Sequence, residues 1–259
     1  MESEMPEYNK SYYHQRYQTD VVGLSTDVRR AYLYKARIRL LERLGIRGNN
    51  VLEVGCGVGP MTKYLLQKFN AVKAIDISVE AIEQCKKNIK SENVVFEVAV
   101  AEKLPAENSS IDIIFAYDVY EHVEDAKPCF DEAYRVLKDG GVLFMTVPNP
   151  RSLGARIKGR YPEYAGLPIA ERKKQWFGWQ DDTHINLLTI DEWRIISVDT
   201  GFELVVDGTD YWWDSPYISW LPTLPQDVIC KILQRIFTRI SYFSRWHYGE
   251  NYIALYRKK

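Results

Sequence analysis

Gly55, Gly57 and Gly59 alternate directly after the run Val51-Leu52-Glu53-Val54, and Pro60 follows them. Glycines permit positive φ and carry no Cβ, so a ligand can lie against the backbone they form. A helix opened by Pro60 would point its N-terminus, with its partial positive charge, at that loop. The spacing narrows the ligand. Pro60 stands where a dinucleotide fingerprint places its third glycine, which argues against NAD or FAD. No Lys-Ser/Thr pair follows, which excludes a nucleotide-triphosphate loop. A second apolar run, Val72 to Ile75, ends in Asp76, about twenty residues on, where a carboxylate can accept both hydroxyls of a ribose. The glycines alone would also suit a tight turn with no ligand. With Asp76 they indicate a nucleoside-bearing cofactor.

Two histidines are candidates for acid–base work. His122 follows the apolar run Ile111 to Ala116, and His184 sits in Thr183-His184-Ile185-Asn186. Each could accept a proton from a hydroxyl held within hydrogen-bond reach, and each could equally tie down its own loop. His14 and His247 stand in no motif. No His/Cys/Asp/Glu cluster has the spacing of metal ligands, so no metal is expected.

Elements that would position these groups alternate between strand and helix. Asp27 to Leu44 reads as a helix, with Leu33, Ala36, Leu40 and Leu44 inward, Arg29, Arg30, Lys35, Arg37 and Arg39 outward, and Gly45 as its stop. Strands are expected at 51–54, 72–75, 94–98, 111–116, 142–147, 202–206 and 252–256. Helices are expected from Pro60 to Phe69, after the N-cap Ser78, and from Ala126 to Leu137, closed by Gly140. Thr189 and Glu192 form a capping box that opens a helix ending at Gly201.

Several motifs, in order, resemble class I S-adenosylmethionine-dependent methyltransferases, in the small-molecule branch that includes the ubiquinone-biosynthesis O-methyltransferase. They are Glu53-x-Gly55-x-Gly57-x-Gly59, Asp76, Ala101-Glu102-x-Leu104-Pro105, Tyr117-Asp118-x-x-Glu121-His122-Val123 and Arg135-Val136-Leu137-Lys138-x-Gly140-Gly141. The likeness is close over residues 35–150 and looser over 184–206. It implies an α/β, Rossmann-like seven-stranded sheet with helices on both faces, its last strand antiparallel, and S-adenosylmethionine as cofactor. It implies cofactor contacts from Glu53, Gly55, Gly57, Gly59, Asp76, Ile77, Ala101, Glu102 and Tyr117, and catalytic candidates in His122 and His184. Relatives often carry an aspartate for the adenine amino group where this chain has Val100, so Glu102 or the adjoining backbone must substitute. The implied reaction is methyl transfer to a small or lipid-linked acceptor, hydroxyl ahead of amine. A cofactor-binding regulatory or scaffold protein without catalysis is the alternative.

Composition bounds the rest. The 259 residues suit one domain with insertions, and a net charge of −1 gives no global pull toward nucleic acid. Four scattered cysteines suggest a reducing compartment. With no signal core at the acidic N-terminus and no apolar run of about 18 residues, a cytoplasmic protein is expected, with a peripheral membrane contact in view.

Three stretches fall outside the common pattern. Residues 1–26, with Tyr8, Tyr12, Tyr13, Arg16 and Tyr17, form either a packed segment or a lid. Insertions at 149–183 and 207–251 are expected to cap the acceptor side. The first holds seven Lys or Arg against two Glu between Arg151 and Gln175. In the second, Lys231, Arg235 and Arg239 recur every four residues, with Ile229, Ile232, Leu233, Ile236, Phe237 and Ile240 over much of the remaining surface. This reads either as a packed helix with a solvated basic stripe, or as an interfacial helix flanked by Trp220 and Trp246 that meets an apolar or anionic acceptor.

Overall fold

A computed structural model describes residues 26–157, 183–210, 220–241, 243–245 and 247–259. The N-terminal tyrosines, the basic stretch beyond residue 157, Trp212, Trp213 and Trp246 lie outside the described residues.

Seven strands form one sheet in the order β3-β2-β1-β4-β5-β7-β6. They are β1 (Asn50–Val54), β2 (Ala71–Asp76), β3 (Val94–Val98), β4 (Ile111–Tyr117), β5 (Leu137–Pro148), β6 (Phe202–Thr209) and β7 (Asn251–Lys258). All pairings are parallel except those of β7 with β5 and β6. This is the expected doubly wound sheet. Strand order reverses between β1 and β4, the place where such sheets bind ligands beyond their carboxyl ends.

The central strands β1, β4 and β5 are buried on both faces over most of their length, which explains their near-continuous apolar runs. On one face Leu52, Val54, Ile114 and Met145 pack with Phe130 and Trp193, from helices α4 (Ala126–Val136) and α6 (Ile190–Thr200). On the other, Val51, Ile113, Phe115 and Phe144 pack with Tyr34, Leu40, Leu41 and Leu65, from helices α1 (Thr26–Arg43) and α2 (Thr62–Leu65). Helices α3 (Val79–Asn88), α5 (Leu153–Ile157) and α7 (Thr223–Ser241) complete the described elements.

Local signals place most helix ends. Ser78 Oγ accepts from Ala81 N at the start of α3, and the Thr189–Glu192 capping box opens α6. Gly45, at φ +68°, ends α1: Ile46 N donates to Leu41 O and Gly45 N to Glu42 O, satisfying orphan carbonyls.

Four expectations need correction. Arg37 is buried, not part of a solvated basic face, and Leu44 is exposed. The helix after the glycine loop keeps only Thr62–Leu65 as α-helix, because i→i−3 bonds such as Tyr64 N to Met61 O tighten its surroundings. Helix α4 ends at Val136, since Leu137 is already extended and paired with Ile111. Gly140 then turns the chain inside β5. Strands β6 and β7 both run beyond their expected ends.

Candidate active site

The carboxyl ends of β1, β2, β3 and β4 converge on the glycine loop. Gly55, Gly57 and Gly59 all have positive φ, at 70°, 54° and 85°. Asp76 closes β2 and grips this loop directly: its Oδ2 accepts from Gly57 N at 2.8 Å and its Oδ1 from Ser78 N at 2.9 Å. Each oxygen of a carboxylate has a second lone pair, so the group can hold the loop and still accept from a ribose.

Glu53 is buried at the end of β1, where Thr62 Oγ1 donates to its Oε2 at 2.6 Å. Burial pushes its carboxyl up to about 8. Burial thus disfavours its charged form, and a cation beside it would favour that form.

Ala101 and Glu102 follow β3, the strand beside β2. Ala101 is buried, whereas Ile77 and Glu102 are exposed. Tyr117 ends β4, but its ring packs edge-on against Tyr34 with centroids 5.4 Å apart. That contact directs it toward α1, a structural use which the motif could not reveal.

The turn after β4 brings the histidines in. Asp118 has φ +54°, and its Oδ1 accepts from Thr146 Oγ1 at 2.8 Å, fastening the turn to β5. Val119 then lies against the cofactor loop: a Cβ on Gly55 would come within 2.4 Å of Val119 Cγ2. The short 3-10 turn Tyr120–His122 follows. Glu121 is buried, and its carbonyl accepts from Ile185 N and Asn186 N, which draws His184 to the same place.

His122 and His184 therefore stand side by side, with ring centroids 4.8 Å apart. Glu121 Oε1 lies 3.8 Å from His122 Nε2 and 3.9 Å from His184 Nε2. His122 Nδ1 sits 3.1 Å from Thr183 O and 2.9 Å from Thr183 Oγ1. The carbonyl only accepts and the hydroxyl can donate or accept, so Thr183 engages Nδ1 in either tautomer, and Nε2 is the ring nitrogen turned toward Glu121.

The fold thus joins both predicted histidines around Glu121, a motif residue that sequence reasoning did not place in the site. The only signal was its position beside His122. Glu121, His122 and His184 also offer three ligand atoms within 4.8 Å of one another, a grouping able to hold a divalent cation. The chain separation of His184 hides it from any spacing rule.

A second polar group was missed altogether. Asp210, buried after β6, accepts from Asn251 N and Nδ2, and burial raises it to about 6. The buried Arg37 charge acts on it in the opposite direction.

Comparison with known proteins agrees with this geometry. Residues 52–145 match the family model described as a methyltransferase domain. The 27-O-demethylrifamycin SV methyltransferase of Amycolatopsis mediterranei is 34% identical over 139 residues, covering 48% of this chain and 51% of that protein. A ubiquinone biosynthesis O-methyltransferase of Pseudomonas fluorescens is 29% identical over 114 residues, covering 42% and 48%. The chain thus spans about half the length of these curated relatives. A structure of a putative sarcosine dimethylglycine methyltransferase from Galdieria sulphuraria matches at a TM-score of 0.61 and 18% identity, over 96% of this chain and 97% of that one. The fold is that of these methyltransferases. The matched domain implies S-adenosylmethionine as cofactor, and the open-backbone glycine loop and Asp76 fit its ribose side.

Proposed function

We propose that the domain matched over residues 52–145 works as an S-adenosylmethionine-dependent methyltransferase on a hydroxyl of a small or lipid-linked acceptor. The observation that carries this reading is His122: Thr183 holds the ring through Nδ1 and leaves Nε2 beside Glu121, in a turn that Val119 presses onto the cofactor loop.

When bound, S-adenosylmethionine supplies an electrophilic methyl group on a sulfonium. The glycine loop and Asp76 hold it, and Glu53 faces its amino end. His122 Nε2 takes the acceptor hydroxyl's proton, and Glu121, 3.8 Å away, stabilises the imidazolium that results. Thr183 fixes the ring against rotation, and His184 closes the other side. The relatives named above as O-methyltransferases favour oxygen over nitrogen, as does the presence of a base, since a neutral amine needs none.

Incubation with methyl-labelled cofactor and matched hydroxyl and amine acceptors tests the reading. Label in hydroxyl products supports it. Label in amines alone, or in no acceptor while the cofactor binds, overturns it.

A further inference from the structure

Helix α7 is packed inside out. Its buried side chains include Gln234 and Thr238, at 0% and 2% exposure. On that side it packs against α1, where Gln234 lies beside the Tyr32 hydroxyl, near the buried Arg37 and Asp210. Five aliphatic residues face out instead, while Leu233 is half-buried. Leu224, Val228, Ile232 and Ile236 recur at four-residue intervals with Ile229 beside them, all exposed; Ile229 and Ile232 reach 57% and 51%. Trp220, just ahead of the helix, is 80% exposed.

Folding by itself favours the opposite arrangement, since burying an amide or hydroxyl needs partners while burying isoleucine is favourable outright. A helix that keeps a polar face inward and a contiguous apolar stripe outward has a second surface to meet.

Charge selects among the candidates for that surface. The helix sequence holds one acid, Asp227, against Lys231, Arg235 and Arg239. At 100° per residue, Lys231 and Arg235 fall along one border of the apolar stripe. Arg235 is exposed, with its guanidinium over the Tyr32 ring at 5.5 Å. An apolar stripe bordered by cations with an indole at one end is the pattern of a helix lying in a lipid interface. No helix among the described residues is long and apolar enough to cross a membrane.

We propose that the outer face of α7, centred on Val228, Ile229, Ile232 and Ile236, docks on an anionic lipid bilayer. β6 runs parallel to β5 through their shared partner β7, so the segment carrying α7 departs from the same sheet edge that holds the cofactor loop. The proposal stands on this surface alone and is independent of the methyl-transfer reading.

Flotation of the full chain with phosphatidylcholine vesicles, with and without phosphatidylglycerol at roughly one lipid in three, tests it. The wild type is expected to float with the anionic vesicles at about 0.05 M salt and to lose at least about fivefold of that binding at about 0.5 M. Ile232→Ser/Ile236→Ser should weaken binding about tenfold or more. Lys231→Gln/Arg235→Gln should remove the preference for anionic vesicles. S-adenosylhomocysteine affinity, measured on the same samples, should be unchanged in all and reports folding. A wild type that binds this ligand yet ignores anionic vesicles at low salt overturns the proposal, as does a serine variant that floats equally well. A concentration-dependent dimer dissolved by Ile232→Glu, without vesicle binding, overturns it in favour of a second copy of the chain.

Discussion

Asp76 Oδ2 accepts from Gly57 N at 2.8 Å, so the acid expected to hold the cofactor's ribose also holds the loop on which the cofactor lies. A strand-end carboxylate with only a ligand to bind would be dispensable for folding. This one is a structural tie as well, because its second oxygen takes Ser78 N at the start of α3.

Asp76→Ala is therefore expected to weaken S-adenosylmethionine binding by about 1.5–3 kcal/mol, the worth of hydrogen bonds to a charged group. It should also lower the melting temperature of the ligand-free protein. Calorimetry and thermal melts on one sample check both. A mutant with unchanged affinity would remove Asp76 from the site.

Glu53 makes stability depend on pH. Its carboxyl is raised by burial from 4.5 to about 8, so its contribution is full below about 4.5 and is lost as pH rises through about 8. Asp210, raised from 3.8 to about 6, acts in the same direction over a lower window. The ligand-free protein should melt at lower temperature as pH rises from about 5 to about 9, and Glu53→Gln should flatten the upper part of that slope. Cofactor binding near neutral pH should release a proton, seen as a heat that varies with buffer ionisation enthalpy. An unaltered slope in Glu53→Gln would contradict the assignment.

Gly55 and Val119 couple the cofactor loop to the histidine turn. Gly55→Ala places a methyl within 2.4 Å of Val119 Cγ2, on a backbone with φ +70°. The expected loss is about 1–3 kcal/mol of stability, with lower turnover and weaker cofactor binding together. Adding Val119→Ala should restore part of each, leaving the backbone strain. A double variant no better than the single one would show that the two segments are not coupled through this contact.

What the sequence made legible was local. The glycine loop, the Ser78 cap, the Thr189–Glu192 box and the Gly45 stop each depend on residues within a few positions, and each stands where expected. The seven-stranded sheet and the antiparallel β7 came with the motif resemblance. The misses were long-range. Arg37 sits on a helix face that reads as solvated, and it is buried with its charge acting on Tyr32 and Asp210, neighbours that the helix pattern does not reveal. Glu121 gathers His122 and His184 through backbone bonds to Ile185 and Asn186 that no spacing rule encodes. For α7 the sequence left a packed and an interfacial helix both open, and the exposure of Val228, Ile229, Ile232 and Ile236 is what a helix pattern alone does not give.

As the base for a hydroxyl acceptor beside a bound cofactor, His122 should be needed for the chemical step and not for cofactor binding. Single-turnover methyl transfer by His122→Ala, with cofactor affinity measured in parallel, tests it most directly. The predicted result is a rate lower by roughly 10²–10⁴ with cofactor affinity nearly intact. A rate close to wild type, accompanied only by a lower melting temperature, would contradict it and leave His122 as a tie between its turn and Thr183.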